Sequence, residues 1–275
     1  MIESRSLLMG FRSKPRVSLD PEAGRPGAGL ARALSKLGLC SRARATALIR
    51  EGRVRVDGIV CQDPRAPVDL DRDRIEVDAR RIDPAAKIYL MLNKPRGLVT
   101  TASDEKARKT VYACLANINL PWLAPVGRLD KASEGLLLFT NDTRWGARIL
   151  APDAHVNKTY HVQVACPADA SLLRRLAEGI PTDQGDFLAA NEVRLLRQGR
   201  RNSWIEVVLD EGKNRHIRRL LEGLGVRVLR LVRVGIGPLE LGTLAKGECR
   251  HLTEEEVRVL AEAPDGSAGP RPQRA

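Results

Sequence analysis

The chain has 275 residues, 43% hydrophobic and only 3% aromatic, with 46 Lys+Arg against 34 Asp+Glu, a net charge of +12 and a pI near 10.0. That length suggests one to three domains with a sizeable core, and the positive surplus favours a polyanionic partner. No apolar run reaches the ~18 residues that span a bilayer, so no membrane partner is expected. The cysteines (Cys40, Cys61, Cys114, Cys166, Cys249) and histidines (His155, His161, His216, His251) show no metal-ligand spacing. This argues for reduced thiols in a cytoplasmic setting and against a structural zinc.

In chain order, residues 1–27 carry Pro15, Pro21 and Pro26 without periodicity and read as a disordered basic tail, and 264–275 read likewise. Residues 28–80 form a small unit. Leu30, Leu34, Leu37 and Leu39 predict a short helix ending at Gly38. Ser41 is an N-cap for a second helix with Ala45, Leu48 and Ile49 on one face, stopped near Gly52. Asp57-Gly58 interrupts the alternating run that starts at Arg53, which is a hairpin signal. A strand around Ile75 follows, and 81–85 form a linker. Residues 28–60 hold seven basic residues against Glu51 and Asp57. Arg32, Lys36, Arg42, Arg44 and Arg53 are thus candidates for a phosphate-binding face, the alternative being a solvated helix surface.

Residues 86–263 read as a mixed α/β unit. Strands are predicted at Ile88–Lys94, at Gly135–Asp142 leading into a loop, at Thr159–Cys166 and at Ser203–Asp210. Helices are predicted from Ala168 to Gly179 and from Lys213 to a glycine stop at Gly225. Val226–Val234 reads as extended, but arginines at every third position break its alternation and leave it unplaced. Thr253 with Glu256 is a capping box for the last helix.

Three places carry candidate chemistry. Gly127-Arg128-Leu129-Asp130-Lys131 precedes a strongly apolar strand. An Asp beside an Arg in such a loop is either a nucleophile or acid–base group, or one half of an ion pair closing a turn. Glu211–Leu220 is dense in cations. At ~100° per residue Ile217, Leu220, Leu221 and Leu224 share a face that Arg218 borders, while Arg215 and Arg219 point outward. Arg218 is therefore placed to reach a buried carboxylate, and Lys213, Arg215 and Arg219 to reach phosphate. Tyr160, on an alternating strand, is either core or a platform for an extruded base.

Residues 28–80 resemble the S-four RNA-binding domain at Leu30-Ala31-Arg32-Ala33-Leu34, Gly38, Ser41-Arg42, Ala45, Ile49, Gly52-Arg53-Val54 and Val56-Asp57-Gly58. That likeness implies recognition of RNA shape and phosphates. The unit contains no aromatic residue on which a base could stack. Over residues 28–262 the chain is similar to the RsuA/RluB-type ribosomal RNA pseudouridine synthases. The motifs are Leu92-Asn93-Lys94-Pro95-Arg96-Gly97, Pro125-Val126-Gly127-Arg128-Leu129-Asp130, Glu134-Gly135-Leu136-Leu137-Leu138, Thr140-Asn141-Asp142, Lys158-Thr159-Tyr160 and Glu211-Gly212-Lys213-Asn214-Arg215.

The resemblance implies an α+β fold: the S-four-type domain, then a mixed, mainly antiparallel β-sheet catalytic domain with flanking helices. It implies that Asp130 is the catalytic aspartate, that Tyr160 stacks on the target base, that Arg218 pairs with Asp130 and that Arg128 lies near the flipped nucleotide. It also implies no cofactor and a monomer acting on ribosomal RNA, with the large subunit preferred. Two positions depart from the family pattern: Ser133 stands where Thr is usual, and His216 where Gln is usual. Two competing readings remain open. A non-enzymatic RNA-binding or ribosome-assembly protein would not need Asp130, Tyr160 and Arg218 together. A glycosyl hydrolase would use Asp130 and Glu134 as its two carboxylates.

Overall fold

The computed structural model describes residues 28–182, 185 and 187–262, and both expected tails lie outside the described residues. The small unit opens with α1 (Leu30–Lys36) and α2 (Arg42–Arg50), the Ser41 hydroxyl accepting from the Arg44 amide at 3.2 Å. Strands β1 (Val54–Val56) and β2 (Ile59–Val60) form the expected hairpin. Asp57 and Gly58, at φ 51 and 78, supply the left-handed pair that a type I′ turn demands. β3 (Ile75–Val77) and β4 (Arg80–Arg81) complete a sheet of order β2-β1-β3-β4. Leu30, Leu34, Ile49, Val54 and Ile75 are the centre of its core, and Ile82 packs against them. The beginning of the expected 81–85 linker therefore still belongs to this unit's packing.

The larger unit is built on one sheet. Its main path is β5 (Tyr89–Lys94), β6 (Glu134–Thr140), β7 (Lys158–Val164), β8 (Glu192–Gln198), β9 (Ser203–Leu209), β10 (Val228–Ile236) and β11 (Cys249–His251), with short strands Ala124–Val126 and Leu239–Glu240 added on β6 and β10. The order across the sheet is β8-β9-β7-β10-β6-β5-β11. Only β10 and β6 run parallel among these neighbours. β6 is buried along its whole length, which is why it reads as an unbroken apolar run. Leu136 and Leu138 face a core with Trp145, Ile149 and Leu260, whereas Leu137 and Phe139 face one with Leu92, Val111 and Leu129.

Helices cover the faces. α3 (Thr143–Leu150) starts at Asp142, whose carboxylate caps the Arg144 and Trp145 amides at 3.0 and 3.2 Å. α4 (Ala170–Glu178) and α5 (His216–Gly223) pack on β7 and β9 through Leu176, Ile217, Leu220 and Leu221. α6 (Glu254–Ala261) carries the expected capping box. α5 begins three residues later than predicted from Lys213: Arg215 sits at φ 50 just before it, and residues 211–214 remain a loop.

Candidate active site

Asp130 lies in the loop that enters β6, and that loop is held from behind. Lys94, at the end of β5, is 0% exposed, and its ammonium donates to the carbonyls of Ser133 (2.8 Å), Asp130 (3.1 Å) and Pro95 (3.2 Å). Burial pulls the Lys94 pKa down to about 8, against the opposing fields of Asp130, Glu134 and Cys114. The Gly97 amide donates to the Lys131 carbonyl at 2.8 Å, and the Thr100 hydroxyl to that of Leu129 at 2.7 Å. The backbone around the carboxylate is thereby fixed while the side chain stays partly accessible.

In front of this loop is a cavity of about 290 Å³. That is close to the small end of the ~300–1,000 Å³ typical of ligand pockets. Asp130, Tyr160 and Arg218 all line it, as do Arg128, Lys213 and Arg215. Arg218 does not form the expected direct ion pair with Asp130: its Nη2 donates to the Ala132 carbonyl at 3.1 Å, and no ion pair within 4.0 Å joins the two residues. Because α5 starts at His216, Arg218 projects from the first helical turn onto the loop backbone. Burial, then the charge of Arg215, lowers its pKa, while Asp130 acts in the opposite direction. The influence of Asp130 is thus a field across the cavity.

The other expected residues divide. Lys213 pairs with Glu211 at 2.7 Å and donates to the Phe187 carbonyl at 3.2 Å. Arg219 does not line the cavity: it donates to the Thr182 hydroxyl at 3.1 Å. In the small unit Arg32, Arg42 and Arg44 are exposed and Lys36 is half-buried. Arg53 is held by Asp78 at 2.6 Å and Glu51 at 3.1 Å. It is therefore less available to phosphate than its neighbours.

Glu134, the second carboxylate of the hydrolase reading, is 3% exposed and outside the cavity lining. Burial alone would raise its pKa, but Arg230, bidentate at 3.1 Å, and Lys246, at 2.6 Å, hold it below the usual range. It ties β6 to β10, and the two-carboxylate geometry of a glycosidase is not formed. His216 is buried on the cavity wall, and burial followed by the charge of Lys213 lowers its pKa. Its ring lies against the Ala189 backbone without meeting hydrogen-bond geometry.

Sequence reasoning passed over Lys94, Lys158 and Arg233 as site residues. Only the interrupted alternation of Val226–Val234 signalled the last of them. Among the described residues, the buried side-chain polar atoms without a hydrogen-bond partner belong to Ser133, His216, Arg218 and Arg233. All four residues line this one cavity. Buried polar atoms are nearly always paired, so such a concentration marks where a polar ligand completes the structure.

A basic helix-and-hairpin unit joined to a sheet with a cation-lined cavity that holds Asp130 defines the class, an RNA-directed enzyme. The family profile described as RNA pseudouridylate synthase matches residues 88–223, and that of the S4 domain matches residues 29–75. An uncharacterized RNA pseudouridine synthase of Rickettsia typhi is 40% identical over 232 residues, covering 84% of this chain and 94% of that protein. The ribosomal large subunit pseudouridine synthase B of Bacillus subtilis is 35% identical over 232 residues, with the same two coverages of 84% and 94%. A crystal structure of a pseudouridylate synthase superposes with a TM-score of 0.58 at 29% identity, covering 85% of this chain and 99% of that one. The chain belongs to the RNA pseudouridine synthase family, and it is an isomerase.

Proposed function

We propose that this protein converts a uridine of ribosomal RNA to pseudouridine, with the large subunit as its target and Asp130 as the reacting carboxylate. The observation that carries this reading is the shared cavity of Asp130, Tyr160 and Arg218. The likeness to the ribosomal large subunit pseudouridine synthase B of Bacillus subtilis supports the choice of subunit. The reaction breaks the bond between C1′ and N1, turns the base and joins C1′ to C5. The C5 proton is lost to solvent and N1 gains one, so the composition and oxidation state of the nucleotide are unchanged. Asp130 attacks either the sugar or the base. Tyr160 supports the extruded ring, and Arg218 holds the loop carbonyl beside Asp130 while adding positive charge.

Residues 28–80, with a connector to 85, hold the RNA for a catalytic unit over 86–263, and the protein works as a monomer in the cytoplasm. Extrusion of the base costs a few kcal/mol, which phosphate contacts at Arg32, Lys36, Arg42, Arg44, Arg128 and Arg215 offset. The test uses ribosomal RNA transcripts tritiated at uridine C5. Wild-type protein is expected to release tritium, and Asp130→Asn to release none while binding RNA with unchanged affinity. Normal release by Asp130→Asn would remove Asp130 from the chemistry.

A further inference from the structure

Arg233 stands in the middle of β10 and is 6% exposed. Its neighbours are set by register: Tyr160 across the antiparallel pair with β7, and Gly135 across the parallel pair with β6. Gly135 has φ +100, and a Cβ there would lie 2.2 Å from the Arg233 carbonyl oxygen. The two strands therefore meet backbone to backbone next to the Asp130 loop. The guanidinium is anchored at one end, Nε donating to the Leu136 carbonyl at 2.8 Å. Its Nη2 is buried and has no hydrogen-bond partner, and the residue lines the cavity with Asp130 and Tyr160.

No carboxylate pairs with Arg233 among the described residues. The cation nearby deepens the excess. Lys158 also lines the cavity and donates to the Asp210 carbonyl at 3.1 Å; burial, then the charge of Arg233, lowers its pKa. A buried, partly unpaired guanidinium beside a second cation is costly unless an electron-rich group completes it. Its depth and its place opposite Tyr160 favour the base over the phosphate, since an extruded base is the part of a nucleotide that enters furthest.

Resting on the function proposed above, we propose that Arg233 is a further catalytic residue, whose Nη2 donates to a carbonyl oxygen of the extruded uracil. When the bond between C1′ and N1 breaks, its electron pair stays on the ring and spreads over N1 and the two carbonyl oxygens. A fixed cation stabilises that charge where water is excluded. The half-turn of the ring about the line through N3 and C6 exchanges N1 with C5 and, at the same time, O2 with O4. A donor that meets one carbonyl in the substrate pose therefore meets the other in the product pose. Arg233 serves both ends of the reaction without moving. The C5 pair then forms the new bond to C1′, the C5 proton leaves and N1 takes up a proton.

The test is single-turnover conversion at saturating ribosomal RNA transcript, read by nuclease digestion and chromatography. Wild type, Arg233→Met and Arg233→Lys are compared on transcripts carrying uridine, 2-thiouridine or 4-thiouridine. On uridine RNA, Arg233→Met is expected to lose ~100-fold or more in rate, with affinity within about threefold of wild type. Arg233→Lys, which keeps the charge but not the forked donor, falls between them and covers the case in which the Met variant does not fold. Sulfur is a weak acceptor, so at least one thio-transcript slows the wild type. The same transcript slows the Arg233 variants much less, because the contact is already gone. Losses that multiply instead of overlapping would overturn the assignment, as would a loss of affinity alone, the mark of a phosphate contact. A wild type inactive on every ribosomal transcript would remove the function and this role together, whereas an active wild type with unaffected variants removes only this role.

Discussion

Lys94 shows how one residue can govern the site without entering it. Its ammonium bridges the carbonyls of Asp130 and Ser133 and is fully buried. Lys94→Met removes the cation and strands three carbonyls, for an expected loss of about 2–4 kcal/mol of stability and a much slower reaction. The pH dependence has a definite sign. The folded-state pKa is about 8 and the ordinary value 10.5, so between them the unfolded chain holds a proton that the folded chain has released. Stability therefore rises with pH across that window and is insensitive to Lys94 below it. Urea unfolding of wild type and Lys94→Met from pH 7 to pH 10 should show the gap between them widening above about pH 8. A gap that stays flat or narrows would refute the depressed pKa.

At the scale of elements, the parallel contact of β6 with β10 and the first turn of α5 decide the chamber's shape. Gly135 is required at that contact because a Cβ would overlap the Arg233 carbonyl and because its φ is +100. Gly135→Ala is expected to cost roughly 3 kcal/mol or more, from strain and overpacking together, read as a fall in Tm. A variant as stable as wild type would mean that the strands can part without penalty. On α5, Arg218→Ala frees the Ala132 carbonyl and removes positive charge beside Asp130, so the rate at saturating RNA should fall by ~10-fold or more. Arg219→Ala is expected to change that rate and RNA affinity by less than about twofold, since Arg219 is engaged with Thr182 outside the cavity. Single-turnover kinetics and filter binding separate the two residues, and a reversed ranking would contradict the geometry.

For the whole molecule, the small unit docks through a defined seam. The Trp122 amide donates to the Gly38 carbonyl at 2.8 Å, and the Ala85 amide to that of Leu37 at 3.2 Å. Gly38 has φ +81, and a Cβ there would meet Ala85 at 2.9 Å and Pro121 at 3.2 Å. The turn between α1 and α2 is thus held by backbone contacts to the linker and the larger unit, and α2 carries Arg42 and Arg44. Both arginines are exposed and outside the salt bridges that occupy Arg53. Arg42→Gln/Arg44→Gln in the full chain should weaken binding to ribosomal RNA at low salt. It should also reduce the slope of log affinity against log salt by roughly 1–2. The saturating rate should be unchanged, and an unaltered slope would exclude phosphate contact at these positions.

Family, catalytic class and most local elements were readable from the sequence alone. Their signals lie within a few residues of one another: the Ser41 cap, the Asp57-Gly58 turn, the Thr253–Glu256 capping box and the Gly-Arg-Leu-Asp block before β6. The grouping of Asp130, Tyr160 and Arg218 on one cavity was legible only through the family resemblance, and the form of their interaction was not. Tertiary structure decided which charges are buried and what they face. Arg230 and Arg233 sit three apart on β10, so the strand's period of two sends them to different partners, one to Glu134 and one to the cavity. Lys94 ends an apolar strand as an ordinary surface lysine would, and only the loop folded over it makes it a buried clamp. Such roles depend on register and contact between segments far apart in the chain, and no local pattern of side chains encodes them.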